Sequence, residues 1–182
     1  MARDALLDQV LRYAATQGLA DKSLREIAAG VGTSHRMLLY HFGSRAGLLA
    51  AVVAVVEAQQ RDLLAGLAGG DGEVMLRLWD RVSDPELRPF VRVFFAVVGL
   101  AVQGVAGTES LLGTLTGPWL EEGAEAARRI GVPVDRAALR LGVAVTRGLL
   151  LELLAGADPA EVDASYRLFV DVWRHWAGPD PA

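Results

Sequence analysis

"SLREIAAGVGTSHRMLLYHFGSR", residues 23–45, gathers three arginines, two histidines and a tyrosine around short apolar runs punctuated by glycine. Ser23 and Glu26 stand at the spacing of a capping box, in which each side chain satisfies a free amide at the start of a helix. Leu24, Ile27, Ala28 and Val31 then recur at three-and-four spacing, which predicts one buried face on a helix stopped by Gly32. Thr33 or Ser34 can cap a third helix whose inward residues are Leu38, Leu39 and Phe42, and Ser44, after Gly43, caps a fourth. Ala28, Gly32 and Leu38 fall where a helix-turn-helix needs a small residue at the crossing, a left-handed turn residue and an apolar anchor.

Two such helices cannot bury their own apolar faces. The preceding stretch offers a cover, because Leu6, Leu7, Val10, Leu11, Ala14 and Ala15 make one stripe on a helix that ends at Gly18. With the third helix anchored inward, helical geometry leaves Thr33, Arg36, Met37 and Tyr40 outside, flanked by His35 and His41. That set suits a DNA duplex. Arg36 can engage guanine edges or phosphate, Met37 a thymine methyl, Tyr40 and His41 phosphate oxygens, and the amides of Thr33 and Ser34 a phosphate. Ser23 and Arg25 flank the same groove from the second helix, and Arg45 follows the third where it can meet the DNA backbone again.

The rest of the chain narrows the alternatives. At 182 residues and 52% hydrophobic, it can bury a real core. Residues 1–50 hold six basic and four acidic side chains against twelve and eighteen in the remainder, so an acidic chain still keeps local positive charge where the motif lies. Cysteine is absent, which excludes disulfides and a cysteine nucleophile and suits a reducing compartment. The N-terminus has Asp4 and Asp8 and no long apolar core, so a cytoplasmic location is the default expectation. The apolar stretch from Val93 to Gly107 is shorter than the roughly 20 residues of a membrane span and reads as a buried helix. No nucleophile stands beside a base, Glu121 and Glu122 diverge around their helix, and Gly69-Gly70-Asp71-Gly72 reads as a linker without the lysine of a phosphate loop. An enzyme is therefore not expected, nor a cofactor. His35 and His41 lie six apart with no partner carboxylate, so no metal site is expected either.

Further punctuation sits at Asp84-Pro85, at Thr108, at Gly117-Pro118, which should kink or split a helix, at Asp135, and at Asp158-Pro159 before a last helix ending near Gly178. No segment of useful length alternates with period two, so the expected fold is all-α with about nine helices.

Residues 24–49 resemble the helix-turn-helix of the TetR family of bacterial one-component transcriptional repressors. The resemblance rests on Leu38-Leu39-Tyr40-His41-Phe42 followed by Ser44-Arg45-Ala46-Gly47-Leu48. Leu39 stands where that family usually has a phosphate-contacting tyrosine, Arg36-Met37 replaces a common Gly-Thr, and Arg45 keeps a cationic role usually filled by lysine. The resemblance implies a DNA-binding domain over 1–46 and a ligand-binding and dimerisation domain over 47–182. It also implies a homodimer reading successive major grooves of a palindromic operator and released by a small organic effector, with no membrane partner. For the dimer interface the expectation is Leu139, Val143, Thr146 and Leu150 on one helix with Leu168, Val172 and Trp176 on the last. Trp79, Phe90, Phe94, Phe95, Gln103 and Trp119 have the composition of an effector pocket. The other reading is a TetR-like helical sensor or interaction protein that does not bind DNA.

Overall fold

Caps and glycines set the element boundaries in the computed structural model, which describes residues 2–66 and 73–176. The linker at Gly69-Gly70-Asp71-Gly72 and the end near Gly178 lie outside the described residues. Among those described there are ten α-helices and no strand: α1 (Arg3–Gln17), α2 (Leu24–Gly30), α3 (His35–Phe42), α4 (Arg45–Gly66), α5 (Glu73–Val82), α6 (Arg88–Val102), α7 (Glu109–Thr114), α8 (Gly117–Arg129), α9 (Arg136–Ala155) and α10 (Pro159–Trp176). The extra helix comes from Gly117-Pro118, which splits α7 from α8 because proline is accepted only in a first helical turn. The same rule moves the start of α6. Pro85 opens a short 3-10 turn, Pro85–Leu87, and Pro89 then requires the helix proper to begin at Arg88. The other caps work through side chains: Ser34 Oγ accepts from Met37 N, Asp135 Oδ1 from Ala137 N and Asp158 Oδ1 from Ala160 N.

The chain divides into two compact units, Met1–Ala58 with Pro85–Thr114, and Gln59–Asp84 with Leu115–Ala182. In the first, Leu6, Val10, Leu19, Ile27, Leu38, Leu48, Leu49, Val52, Val93 and Val97 are fully buried together, so α4 and α6 share one core with the helix-turn-helix. Ala15 is exposed, outside the stripe it was expected to join. Gly30 allows α1 close to α2, since a Cβ there would lie 2.3 Å from the Tyr13 ring. Gly47 is similarly constrained by the tight turn into α4, where a Cβ would lie 2.3 Å from the Phe42 carbonyl oxygen.

The second unit is organised around Trp79 of α5, stacked on Tyr166 of α10 with ring centroids 4.4 Å apart and planes 10° from parallel. Trp79 Nε1 donates to Asp163 Oδ1 at 3.1 Å, and Val162, Val170, Leu149, Leu150 and Leu153 close the cluster. α9 is tied to the turn that precedes α8 through Arg147, which donates to the Leu115 carbonyl (2.5 Å) and Thr116 Oγ1 (3.3 Å). No single helix among the described residues is long and apolar enough to cross a membrane; α3 and α4 pass that test only as a pair, bent by 66°.

Candidate nucleic-acid interface

The motif is built from its ends inward. Ser23 N donates to Glu26 Oε2 at 2.7 Å and Glu26 N to Ser23 Oγ at 3.3 Å, a complete capping box. Hydrogen bonding to the Ser23 side chain, then to its backbone, holds the Glu26 carboxyl below its ordinary 4.5. This support for α2 is present above that value and is lost as pH falls through the lower folded pKa. Gly32, at φ 68°, turns the chain, and Thr33 N closes the turn on the Ala28 carbonyl at 2.9 Å. The Thr33 amide is thus already bonded within the turn, leaving its hydroxyl as the group available to a phosphate.

α3 is eight residues long and is held by Leu38 and Phe42, both buried. Arg36 and Tyr40 are exposed one turn apart on the opposite side, Tyr40 to 79%. His35, Met37 and His41 are half-buried beside them; the His41 ring lies edge-on to Tyr40 at 5.0 Å and its Nε2 is buried without a partner. Leu39 departs from the expectation of an inward residue. It is 38% exposed, because Leu38 and Phe42 at i and i+4 already define the buried direction and Leu39 falls about 80° from their mean. An exposed leucine therefore joins the outward face, and the apolar character that suggested burial concealed it.

Ser23, Arg25 and Ser34 are exposed along the same motif. Among the described residues, Arg25 and Arg36 have no carboxylate at ion-pair distance, whereas Arg3 pairs with Asp4 and Lys22 with Asp21. Arg3 also lies over the Phe42 ring at 5.2 Å, tying α1 to the end of α3. Arg45 is placed differently from the others. It is half-buried, and its guanidinium bonds three carbonyls of the α1–α2 loop.

The residues anticipated for a pocket do not share one unit. Phe90, Phe94, Phe95 and Gln103 belong to the first, where Phe90 and Phe94 pack on the core and Gln103 is exposed at the end of α6. Trp79 and Trp119 belong to the second, Trp79 within the Tyr166 stack and Trp119 beneath the Arg61 guanidinium at 6.0 Å.

Of the anticipated interface residues, Leu168 (65% exposed) and Val172 lie one turn apart on the open face of α10. Leu150 packs against the Trp79 cluster, Leu139 lies against Gly123 of α8, Thr146 Oγ1 donates to the Gly142 carbonyl, and Val143 is half-buried. The Trp176 side chain is outside the described residues. The open face of α9 is a different stripe: Ala137, Leu141, Ala144, Gly148, Leu151 and Ala155 are all exposed at alternating four-and-three spacing. That seam is legible once its opposite side is known to pack inward.

Residues 6–52 match the family described as bacterial regulatory proteins, tetR family. Solved structures share the fold along nearly the whole chain. A TetR-family transcriptional regulator from Rhodococcus sp. is 24% identical, with a TM-score of 0.69 over 93% of this chain and 96% of that one. A transcriptional regulator from Rhodococcus sp. Rha1 is 16% identical, with a TM-score of 0.76 and complete coverage of both, 100% each. A regulator from Saccharomonospora viridis, solved in complex with choline, is 23% identical, with a TM-score of 0.68 over 93% of this chain and 95% of that one. No curated protein matches the chain.

Proposed function

We propose that this chain, which belongs by its N-terminal domain to the tetR family of bacterial regulatory proteins and is a DNA-binding transcriptional regulator, acts as a homodimeric repressor released by a small organic effector. The observation that carries the reading is the outward pair on α3. Arg36 and Tyr40 project from a short helix whose other side is locked by Leu38 and Phe42, the placement a major-groove reader requires. In this reading Arg36 contacts base edges and Met37 and Leu39 supply apolar contact to thymine methyls. Tyr40, His41, the Thr33 hydroxyl and the Ser34 amide meet phosphates, with Ser23, His35 and Arg25 along the flanks.

The open stripes of α9 and α10 support self-association. α9 has no fully buried residue along its 20-residue length, and its exposed alanines, glycine and leucines repeat at the spacing of a helix-packing seam. Two copies joined through α9 and α10 would form a four-helix interface, and reading successive major grooves requires the two copies of α3 to stand roughly 34–36 Å apart on the duplex. Leu151→Glu with Leu168→Glu should convert the protein from dimer to monomer in analytical ultracentrifugation while helicity stays at the parent level. A parent that sediments as a monomer would remove the dimer from the reading.

The effector is proposed to bind among the aromatics of the C-terminal region. Trp119 presents a ring face that already accepts a cation from Arg61, and a neighbour of the same fold holds choline, so choline is the first compound to titrate. α4 contributes its first residues to one compact unit and its last to the other, which makes it the proposed route by which a bound effector changes the spacing of the reading heads.

Selecting bound duplexes from fragmented genomic DNA tests the whole reading. A palindrome should emerge, with log affinity falling linearly as log salt rises. Arg36→Ala should then cost about 1–3 kcal/mol and relax preference at one base position. Uniform binding to all duplexes would remove sequence-specific reading, and binding to none would favour the sensor or interaction protein.

A further inference from the structure

Arg45 opens α4 immediately after the turn at Gly43-Ser44, and its guanidinium is already engaged. Nε donates to the Lys22 carbonyl at 2.6 Å, while Nη2 donates to the carbonyls of Leu19 (3.1 Å) and Ala20 (2.6 Å). These acceptors lie in the loop between α1 and α2, which makes a turn of its own through Lys22 N and the Leu19 carbonyl at 3.2 Å. The loop leads directly into Ser23, the cap of α2, and then to exposed Arg25. A planar guanidinium offers two nitrogens on one rigid edge and so reaches all three carbonyls at once, whereas an ammonium is a point donor on a flexible stem.

We infer that Arg45 is a positioning residue for DNA binding: by tying the start of α4 to the α1–α2 loop it sets the start of α2, and thereby the angle at which α2 and α3 meet a duplex. This replaces the expectation that Arg45 acts as a phosphate ligand, and it rests on the regulator reading above. The two roles differ in what they do to salt dependence. A phosphate ligand displaces a counterion, so its loss lowers the log–log salt slope by about one. A positioning residue alters the fit of every contact and leaves the charge at the interface as it was.

The test compares parent, Arg45→Lys and Arg45→Ala on the palindromic duplex recovered with the parent protein, across a salt series, together with amide hydrogen exchange of the DNA-free proteins. Arg45→Lys keeps the charge and loses the rigid edge. It is expected to bind about tenfold or more weakly with an unchanged slope, and to exchange faster at Lys22 and through the first turn of α2. Parental affinity in Arg45→Lys would overturn the inference, whether or not exchange quickens. A slope lowered by about one in Arg45→Ala with full rescue by lysine would restore the phosphate role. A parent without duplex preference would overturn the regulator reading, a failure visible before any variant is compared.

Discussion

Leu38→Ala is expected to cost about 2–5 kcal/mol of folding stability, the range for truncating a fully buried leucine. Leu38 is 0% exposed and is one of only two buried side chains of an eight-residue helix, so little else can hold α3 against the core. In a chain of this size each kcal/mol lowers the melting temperature by about 2–4 °C. Duplex affinity should fall as well, because the outward pair loses its anchored base. Leu39→Ala provides the control. That neighbouring leucine is exposed, and its truncation should change stability by less than about 0.5 kcal/mol while altering DNA contact. Equal melting of Leu38→Ala and the parent by circular dichroism would mean that α3 is anchored by something other than the core described above.

Trp79→Ala should be comparably severe, about 3–5 kcal/mol, for a different reason. The ring fills the centre of the second unit, stacks on Tyr166 and gives its Nε1 hydrogen to Asp163. Its removal opens a cavity and ends an aromatic contact worth about 0.5–1.5 kcal/mol beyond area burial. Trp79→Phe should recover part of the loss, because it keeps an aromatic ring in the stack while giving up the hydrogen bond and the volume of the second indole ring. The Asp163 carboxyl is held below its ordinary 3.8, first by its bond to Arg167 and, after the opposing effect of burial, by Trp79. That part of the stability is present above 3.8 and is lost as pH falls through the lower folded pKa, so the gap between the parent and the phenylalanine variant should narrow there without closing. Thermal melts of the three proteins read these differences. If Trp79 instead lined an effector site, Trp79→Ala would melt near the parent and lose only its response to ligand.

Much of the fold is local and was therefore readable along the chain. The capping box at Ser23 and Glu26, the positive φ at Gly32 and the caps at Ser34, Asp135 and Asp158 involve residues two to three apart, where backbone sterics and hydrogen-bond reach leave few choices. Even the split at Gly117-Pro118 follows from a missing N–H and a ring clash, which no distant contact can repair. The outward placement of Arg36 and Tyr40 was legible in the same way, as helical period and anchor position together determine the opposite face.

Leu39, Arg45 and α9 show what the local pattern left open. An apolar residue at 80° from the buried direction can fall on either side, and for Leu39 the decision belongs to the helices packed behind α3. Arg45 carries a charge that suits phosphate, yet the three carbonyls that engage it lie 23 to 26 residues earlier, brought within reach only when α4 folds against the α1–α2 loop. On α9, leucines cover more than one side of the helix, so composition alone cannot say which side faces its own chain; the packing against α8 and α10 decides it and leaves Leu141 and Leu151 outside. Short-range sterics and capping determined where the helices begin, end and turn, whereas the destination of each long or ambiguous side chain depended on which distant backbone and apolar surfaces the folded chain brought beside it.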